Sequence, residues 1–160
     1  MSIRNAAKAI IVHENKVLLN RCSQPALGDY FTLPGGGQHQ YETMEAAVIR
    51  ECLEETGYTV VPEAFVALYE EINTSESLRK EYPDYVHKVY HIFRCSINET
   101  IQRIPTEMDT WQSDCIWVDA DTIPAAPLMP IAIRENFKQL LHSESPLYLG
   151  SRYVTITDNV

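Results

Sequence analysis

No run in this chain approaches the ~18 consecutive apolar residues that a membrane-spanning helix needs. The N-terminal MSIRNAAKAIIVHEN lacks the apolar length and the small-residue cleavage site of a secretory signal. The cytoplasm is therefore the expected compartment, and no membrane partner is expected. Basic residues are also few: 13 Lys and Arg stand against 22 Asp and Glu, a formal net charge of −9. Such a chain has no general attraction for nucleic acid or for an anionic membrane. If its substrate is anionic, positive charge must be supplied locally, and a bound cation is the direct means. The four cysteines, Cys22, Cys52, Cys95 and Cys115, are far apart and form no C-x-x-C pair, which argues against a zinc ribbon or a redox motif. They read as buried free thiols. Repeats, low-complexity segments and linkers are absent from the sequence.

What is present is an ordinary globular composition, 45% hydrophobic and 22% charged, in 160 residues, the length of one domain with a real core. The reading is a single domain over residues 1–160. Asn5–Val12 and Val17–Arg21 read as strands of a hairpin, and Tyr30–Leu33 as a short strand stopped by Pro34 and three glycines. Thr43–Thr56 reads as a helix, with Gly57 in the C-terminal capping position. Strands follow at Tyr58–Val61 and Phe65–Ile72, with Pro62 interrupting, then a polar loop over Asn73–Asp84. Val86–Ile97 is a long strand, Asn98–Gln112 a loop and Cys115–Val118 a short strand. Leu128–His142 reads as a second helix, and Tyr148–Ile156 as a last extended piece. Strands with helices between them indicate an α/β domain, a mixed sheet with helices packed on it.

The informative stretch is GGQHQYETMEAAVIRECLEETGY, Gly36 to Tyr58, which carries five acids and one base. At 100° per residue, Glu51, Glu54 and Glu55 share one helix face within roughly 100°. Ala46, Ile49, Cys52 and Leu53 fall on a broadly opposite arc, which is expected to pack on the sheet. Three like charges on one face repel, and near the helix C-terminus they also oppose the macrodipole. A solvated acidic face is one explanation. A hard cation among the carboxylates is the other, and magnesium, which takes oxygen ligands and keeps several waters, suits a site that bridges phosphates. The preceding Pro-Gly-Gly-Gly turn lets backbone approach a ligand closely, which favours the second.

These residues resemble the Nudix box, G-x5-E-x7-R-E-U-x-E-E-x-G-U, with U a bulky apolar residue. Gly36, Glu42, Arg50, Glu51, Glu54, Glu55 and Gly57 fill its seven fixed positions. With each residue type near 7% of average composition, a chance match is about 10⁻⁸ per starting position. Cys52 and Tyr58 stand at the bulky apolar positions, and His39 and Tyr41 replace residues that are often Glu and Gly in relatives. The resemblance implies an α/β/α sandwich with a mixed central sheet. It implies a hydrolase that cleaves a diphosphate linked to another moiety, a small nucleotide or diphosphate substrate, with Mg²⁺ as cofactor or Mn²⁺ in its place. It makes Glu51, Glu54 and Glu55 the metal ligands and Glu42–Arg50 an ion pair that ties loop to helix, with Arg50 also placed to orient a neighbouring Glu. Gly36 and Gly37 would line the site, and Gly57 would end the helix.

The general base stays open between a box glutamate and an acid on the loop before Trp117-Val118, where Asp109 comes first and Glu107 second, with Asp114 also in the loop. Arg21 and Tyr30 are candidate substrate contacts, and Phe31 shares the choice with Tyr30 of stacking on the substrate or packing in the core. His87 and His91, on one strand face, have no third ligand in view and read as structural. Markers of the ADP-ribose and diadenosine polyphosphate subgroups, a proline and a tyrosine downstream of the box, are not found at Thr74 and Ser75, and no coenzyme A motif precedes the box. The alternative to an enzyme is a Nudix-fold binding module without turnover, though such modules usually lack one of the glutamates kept here. The isomerase reaction of a related fold needs a catalytic cysteine, and Cys22 has no setting for that.

Overall fold

The hairpin that opens the chain explains where a cleft can form. In the computed structural model, which describes residues 3–25, 27–98 and 101–155, strand β1 (Arg4–His13) turns through Glu14 and Asn15 into β2 (Lys16–Gln24). Both turn residues have positive φ, 48° and 61°, as a tight hairpin demands. The two strands pair only beside the turn, at Val12↔Val17 and His13↔Lys16. Beyond that they splay. β1 pairs in parallel with β5 (His87–Ile97) from Arg4 to Ile11. β2 pairs instead with β3 (Gly28–Thr32) and with β6 (Gln112–Asp119).

The backbone groups that β1 exposes at the split are taken by the glycine segment. Ala7 N–H donates to Gly36 O at 2.9 Å, Ala9 N–H to Pro34 O at 2.9 Å and Gln38 N–H to Asn5 O at 3.0 Å. Gly35 has φ +123°, and a Cβ there would overlap the Ala7 carbonyl, 3.0 Å from its carbon. Only glycine fits at that position.

Among the described residues the mixed eight-stranded sheet runs β7 (Leu128–Met129), β3, β2, β1, β5, β4 (Val60–Asn73), β8 (Leu147–Val154), with β6 on β2. Helix α1 (Met44–Thr56) covers one face, packing Ala47, Val48 and Cys52 on Ala7, Ala9, Ile11, Leu18 and Phe93. The other face is covered by short helices α3 (Ile131–Glu135) and α4 (Phe137–His142), whose Ile133, Phe137 and Leu140 meet Ile10, Val17, Leu19 and Ile92. The expected sandwich of helices about a mixed sheet is therefore present.

Four expectations need correction. Pro62 does not interrupt a strand: β4 (Val60–Asn73) is continuous, because bulges at Pro62/Ala64 and Phe65/Ala67 absorb the irregularity, including the N–H that proline lacks. The polar loop after it contains a one-and-a-half-turn helix, α2 (Glu76–Glu81), capped by Ser75. The helix read over Leu128–His142 is three elements: β7 (Leu128–Met129) pairs with β3, and α3 and α4 are parted at Asn136. The Asn136 amide donates to Ala132 O at 2.8 Å, a side-chain bond that competes with helix continuation. The Cys115 strand is longer, Gln112–Asp119. The last strand, β8 (Leu147–Val154), pairs in parallel with β4, and Ile156 lies outside the described residues. Among the described residues no helix is long and apolar enough to cross a membrane. All four cysteines are free, three of them buried.

Candidate active site

Helix α1 starts at Thr43, whose hydroxyl accepts from Ala46 N–H at 3.1 Å, and stops at Gly57, whose N–H donates to Leu53 O at 3.0 Å with φ +76°. The burial along it corrects the expected faces. Ala46 is exposed, Ile49 and Leu53 are only partly buried, and Glu55 is buried at 3% exposure. The packed stripe is Val48, Cys52 and Glu55, spaced four and three as one helix face requires. A carboxylate thus lies at the end of the apolar stripe, and the three glutamates are not equivalent.

Glu55 is held from two sides. Its Oε2 accepts from the Asn20 amide at 2.8 Å and from Gly35 N–H at 2.8 Å. Lys8, whose ammonium donates to the carbonyls of Leu33 and Gly35, is the cation that most favours the ionised carboxylate. Burial outweighs these and pushes the Glu55 carboxyl up to about 7, with nearby Asp109 adding to the rise. Asn20 is itself buried, and its Oδ1 has no hydrogen-bond partner.

Glu51 and Glu54 are gathered by Arg50. One guanidinium nitrogen, Nη1, reaches Glu51 Oε1 at 2.7 Å and Glu54 Oε2 at 3.0 Å. Nε and Nη2 grip Glu42 in a fork at 2.8 and 3.0 Å, and Nη2 also donates to Gly37 O at 3.0 Å. Glu42 further accepts from His39 N–H at 2.9 Å. The bonds from Arg50 hold the Glu42 carboxyl down at about 2. The Glu51 carboxylate fills the space a side chain at Gly36 would need: a Cβ there would lie 2.5 Å from its carboxyl carbon.

The loop before β6 is drawn to the end of α1 by the carbonyls that a helix C-terminus leaves unpaired. Thr106 and Glu107 N–H donate to Glu54 O at 2.9 and 3.1 Å, the Gln112 amide to Glu55 O at 3.0 Å, and the Gln102 amide to Thr56 O at 2.9 Å. Arg103 N–H donates to Gly57 O at 2.9 Å. This capping sets exposed Glu107 and Asp109 beside the glutamates. A cavity of about 330 Å³, lined by Glu55, Arg103, Met108 and Asp114 among others, opens there.

The structure brings Tyr30 to the same side. It stands opposite Cys22 in register, on the sheet face of Asn20, and burial raises its phenol to about 12, with Asp109 again contributing. Arg21 does not join them. Strand alternation puts it with Val17, Leu19 and Phe31 on the far face, exposed. Phe31 packs against that far core. Of the two histidines, His87 pairs with Glu70 at 2.8 Å and His91 lies against Phe65.

The donor set fits a hard divalent ion: carboxylate oxygens alone, with Glu55 oriented in advance. Among the described residues no three acidic, histidine or cysteine side chains stand together as a ready cage. Arg50 instead lies between Glu51 and Glu54. Asn20, Gly35, Lys8 and Gln112 were not singled out by sequence reasoning, although an asparagine inside the apolar run Val17–Cys22 is a visible sign of an inward polar group.

The family model of the NUDIX domain matches residues 3–140. The chain belongs to the Nudix family. It is accordingly a Nudix-type pyrophosphohydrolase, in a family that acts on small nucleotide-linked substrates and generally needs a divalent metal. Among solved structures, the mutator MutT protein from Bacillus halodurans is similar with a TM-score of 0.70 and 22% identity, over 99% of this chain and 94% of that one. A NUDIX hydrolase from Nitrosomonas europaea gives 0.61 and 22%, over 78% of each chain. An ADP-ribose pyrophosphatase from Streptococcus suis gives 0.61 and 19%, over 94% of this chain and all of that one. At these identities the likeness of this Nudix protein to them is one of fold. No curated protein matches the chain significantly.

Proposed function

We propose that this single Nudix domain, residues 1–160, cleaves a phosphoanhydride bond in a nucleoside diphosphate linked to another moiety, or in a nucleoside triphosphate, by attack of water at phosphorus. The observation that carries the reading is the unequal preparation of three carboxylates on one helix end. Glu55 is buried and oriented by Asn20 and Gly35, while Glu51 and Glu54 converge on one nitrogen of Arg50. Glu51, Glu54 and Glu55 would hold Mg²⁺, with Mn²⁺ as a substitute. When bound, the ion neutralises the diphosphate and lowers the pKa of water.

The chain's own residues do the rest by position and charge. Glu42 fixes Arg50, and Arg50 fixes the spread of Glu51 and Glu54. Gly36 and Gly37 keep the loop thin enough for phosphate to approach the backbone. Asp109, or Glu107 after it, would accept the proton of the attacking water; the hydrogen bonds from Thr106 and Glu107 N–H to Glu54 O, which hold this loop at the end of α1, support that role. Tyr30 lies on the Glu55 side of the sheet and would contact substrate there. Arg21, on the far face, would meet only a part of the substrate that passes the sheet edge.

The test is phosphate release from a panel of nucleoside diphosphate sugars, dinucleotides and nucleoside triphosphates, with and without magnesium. Glu54→Gln and Glu55→Gln should each lose most turnover with an unchanged circular-dichroism spectrum. Full activity in both variants would refute the ligand assignment, and binding without turnover in the wild type would favour a non-catalytic module.

A further inference from the structure

One row of the sheet is charged across four strands. Arg152 of β8, Glu71 of β4, Lys88 of β5 and Arg4 of β1 are successive partners in register, so their side chains share a face. The row behind it is aromatic and small: Tyr69 and Tyr90, stacked at 5.8 Å and 16°, followed by Ala6. At one end Arg152 is satisfied by Glu135 at 2.9 Å. At the other end two cations, Lys88 and Arg4, stand side by side in a chain whose formal net charge is −9.

One acid faces the two cations: Glu71 stands directly opposite Lys88. Neither Lys88 nor Arg4 is a member of the ion pairs at Glu42, Glu51, Glu54, Glu70 and Glu135. Arg4 rests on the Tyr85 ring at 4.6 Å. Glu71 is the nearest acid by register, and its carboxylate takes the Tyr69 hydroxyl at 3.5 Å. Lys88 is partly buried. That burial, together with Lys8 and Arg4, holds its pKa below the ordinary lysine value against the pull of Glu71. Like charges directly opposite in a sheet, as Arg4 and Lys88 are, are destabilising. Glu71 offsets one of the two cations, and a fold selected for stability alone would not set a second beside it.

The position also matters. A Cβ on Gly37 would lie 2.6 Å from the Arg4 guanidinium carbon, and a Cβ on Gly36 would meet Glu51. Two adjacent glycines therefore separate the cationic pair from the proposed metal-binding carboxylates. We propose that Lys88 and Arg4 form a subsite for an anionic group of the substrate beyond the scissile diphosphate, a third phosphate or a phosphate or carboxylate on the linked moiety. This deepens the hydrolase reading and rests on it for the word substrate.

Two arms test it. In the first, without magnesium, melting temperature is followed in sodium phosphate against sodium chloride of matched ionic strength. A phosphate-specific rise is expected in the wild type, lost in Lys88→Met and in Arg4→Met and kept in Lys88→Arg. No phosphate-specific rise, or one that survives both methionine variants, would overturn the subsite. In the second, kcat/KM is compared for UDP-glucuronate and UDP-glucose, and for a nucleoside triphosphate. The wild type should favour the substrates with the extra anion, and Lys88→Met should reduce that preference at least tenfold, mainly through KM. An unchanged preference in Lys88→Met overturns the proposal. If the wild type hydrolyses no diphosphate, the hydrolase reading fails, and the phosphate arm alone decides the anion site. Should Lys88→Met not fold, Arg4→Met and Lys88→Arg carry both arms.

Discussion

Gly35 and Gly36 are neighbours, yet alanine at each should fail in a different way. At Gly35 the backbone has φ +123° and an added Cβ overlaps the Ala7 carbonyl, main chain that the sheet holds fixed. Left-handed strain costs roughly 1–2 kcal/mol, and overpacking against backbone about 1–3 kcal/mol more. At about 2–4 °C per kcal/mol for a domain of this size, Gly35→Ala should melt roughly 4–20 °C lower. At Gly36 φ is unremarkable, and the Cβ meets the far end of the Glu51 side chain. That carboxylate must retreat about 1 Å to reach ordinary contact distance. The retreat loosens a partly exposed bond to Arg50, worth at most about 1 kcal/mol. The lower chain entropy of alanine in the unfolded state offsets about 0.4–1 kcal/mol. Gly36→Ala should therefore melt within about 3 °C of the wild type but lose magnesium affinity, because one proposed ligand has moved. Calorimetric melting and magnesium titration of both variants check this. A Gly36→Ala protein that melts as low as Gly35→Ala, or that binds magnesium as the wild type does, would refute the reasoning.

Glu42→Gln and Arg50→Met should be non-additive in a double-mutant cycle, since either change strands the other member of a partly buried pair. The Glu42 carboxyl is depressed from 4.5 to about 2 in the folded state, so its stabilisation is present above pH 4.5 and fades as pH falls toward 2. Glu42→Gln should flatten that acid limb in melts taken from pH 6 to pH 2. Asn20→Leu removes one of two donors to a buried carboxylate, and should cost about 1–3 kcal/mol by denaturant unfolding and weaken magnesium binding. Asp109→Asn should lower kcat with little change in melting temperature. If neither it nor Glu107→Gln slows turnover, the base lies elsewhere.

Much of this was legible in the sequence because local chemistry decided it. Thr43 and Gly57 bound α1 as their capping roles require, and the Glu42–Arg50 contact is the one that the resemblance to the Nudix box implies. What the sequence did not reveal came from tertiary context. Whether Pro62 ends a strand depends on bulges set by the neighbouring β5, and whether Leu128 starts a helix depends on β3 offering an edge. Glu55 reads as a third exposed carboxylate until β2 and the glycine segment after Pro34 close over it. Those partners, Asn20 and Gly35, lie 35 and 20 residues away in sequence. Arg21 was misplaced relative to the glutamates by a strand's period of two: one position earlier is Asn20, the residue that does face them.

The proposal that the end of α1 is a cation site built by folding can be tested without any substrate. Glu51, Glu54 and Glu55 repel one another only when the helix assembles them, so an ion bound by that face stabilises the folded state alone. At roughly ten times its dissociation constant, magnesium should contribute about 1.4 kcal/mol, a rise in melting temperature of about 3–6 °C. Melting in magnesium chloride is to be compared with melting in sodium chloride of the same ionic strength, for the wild type and Glu54→Gln. A magnesium-specific rise is predicted in the wild type, and it should disappear in the variant. Equal shifts from both salts would show simple screening of a solvated acidic face and would contradict the proposal.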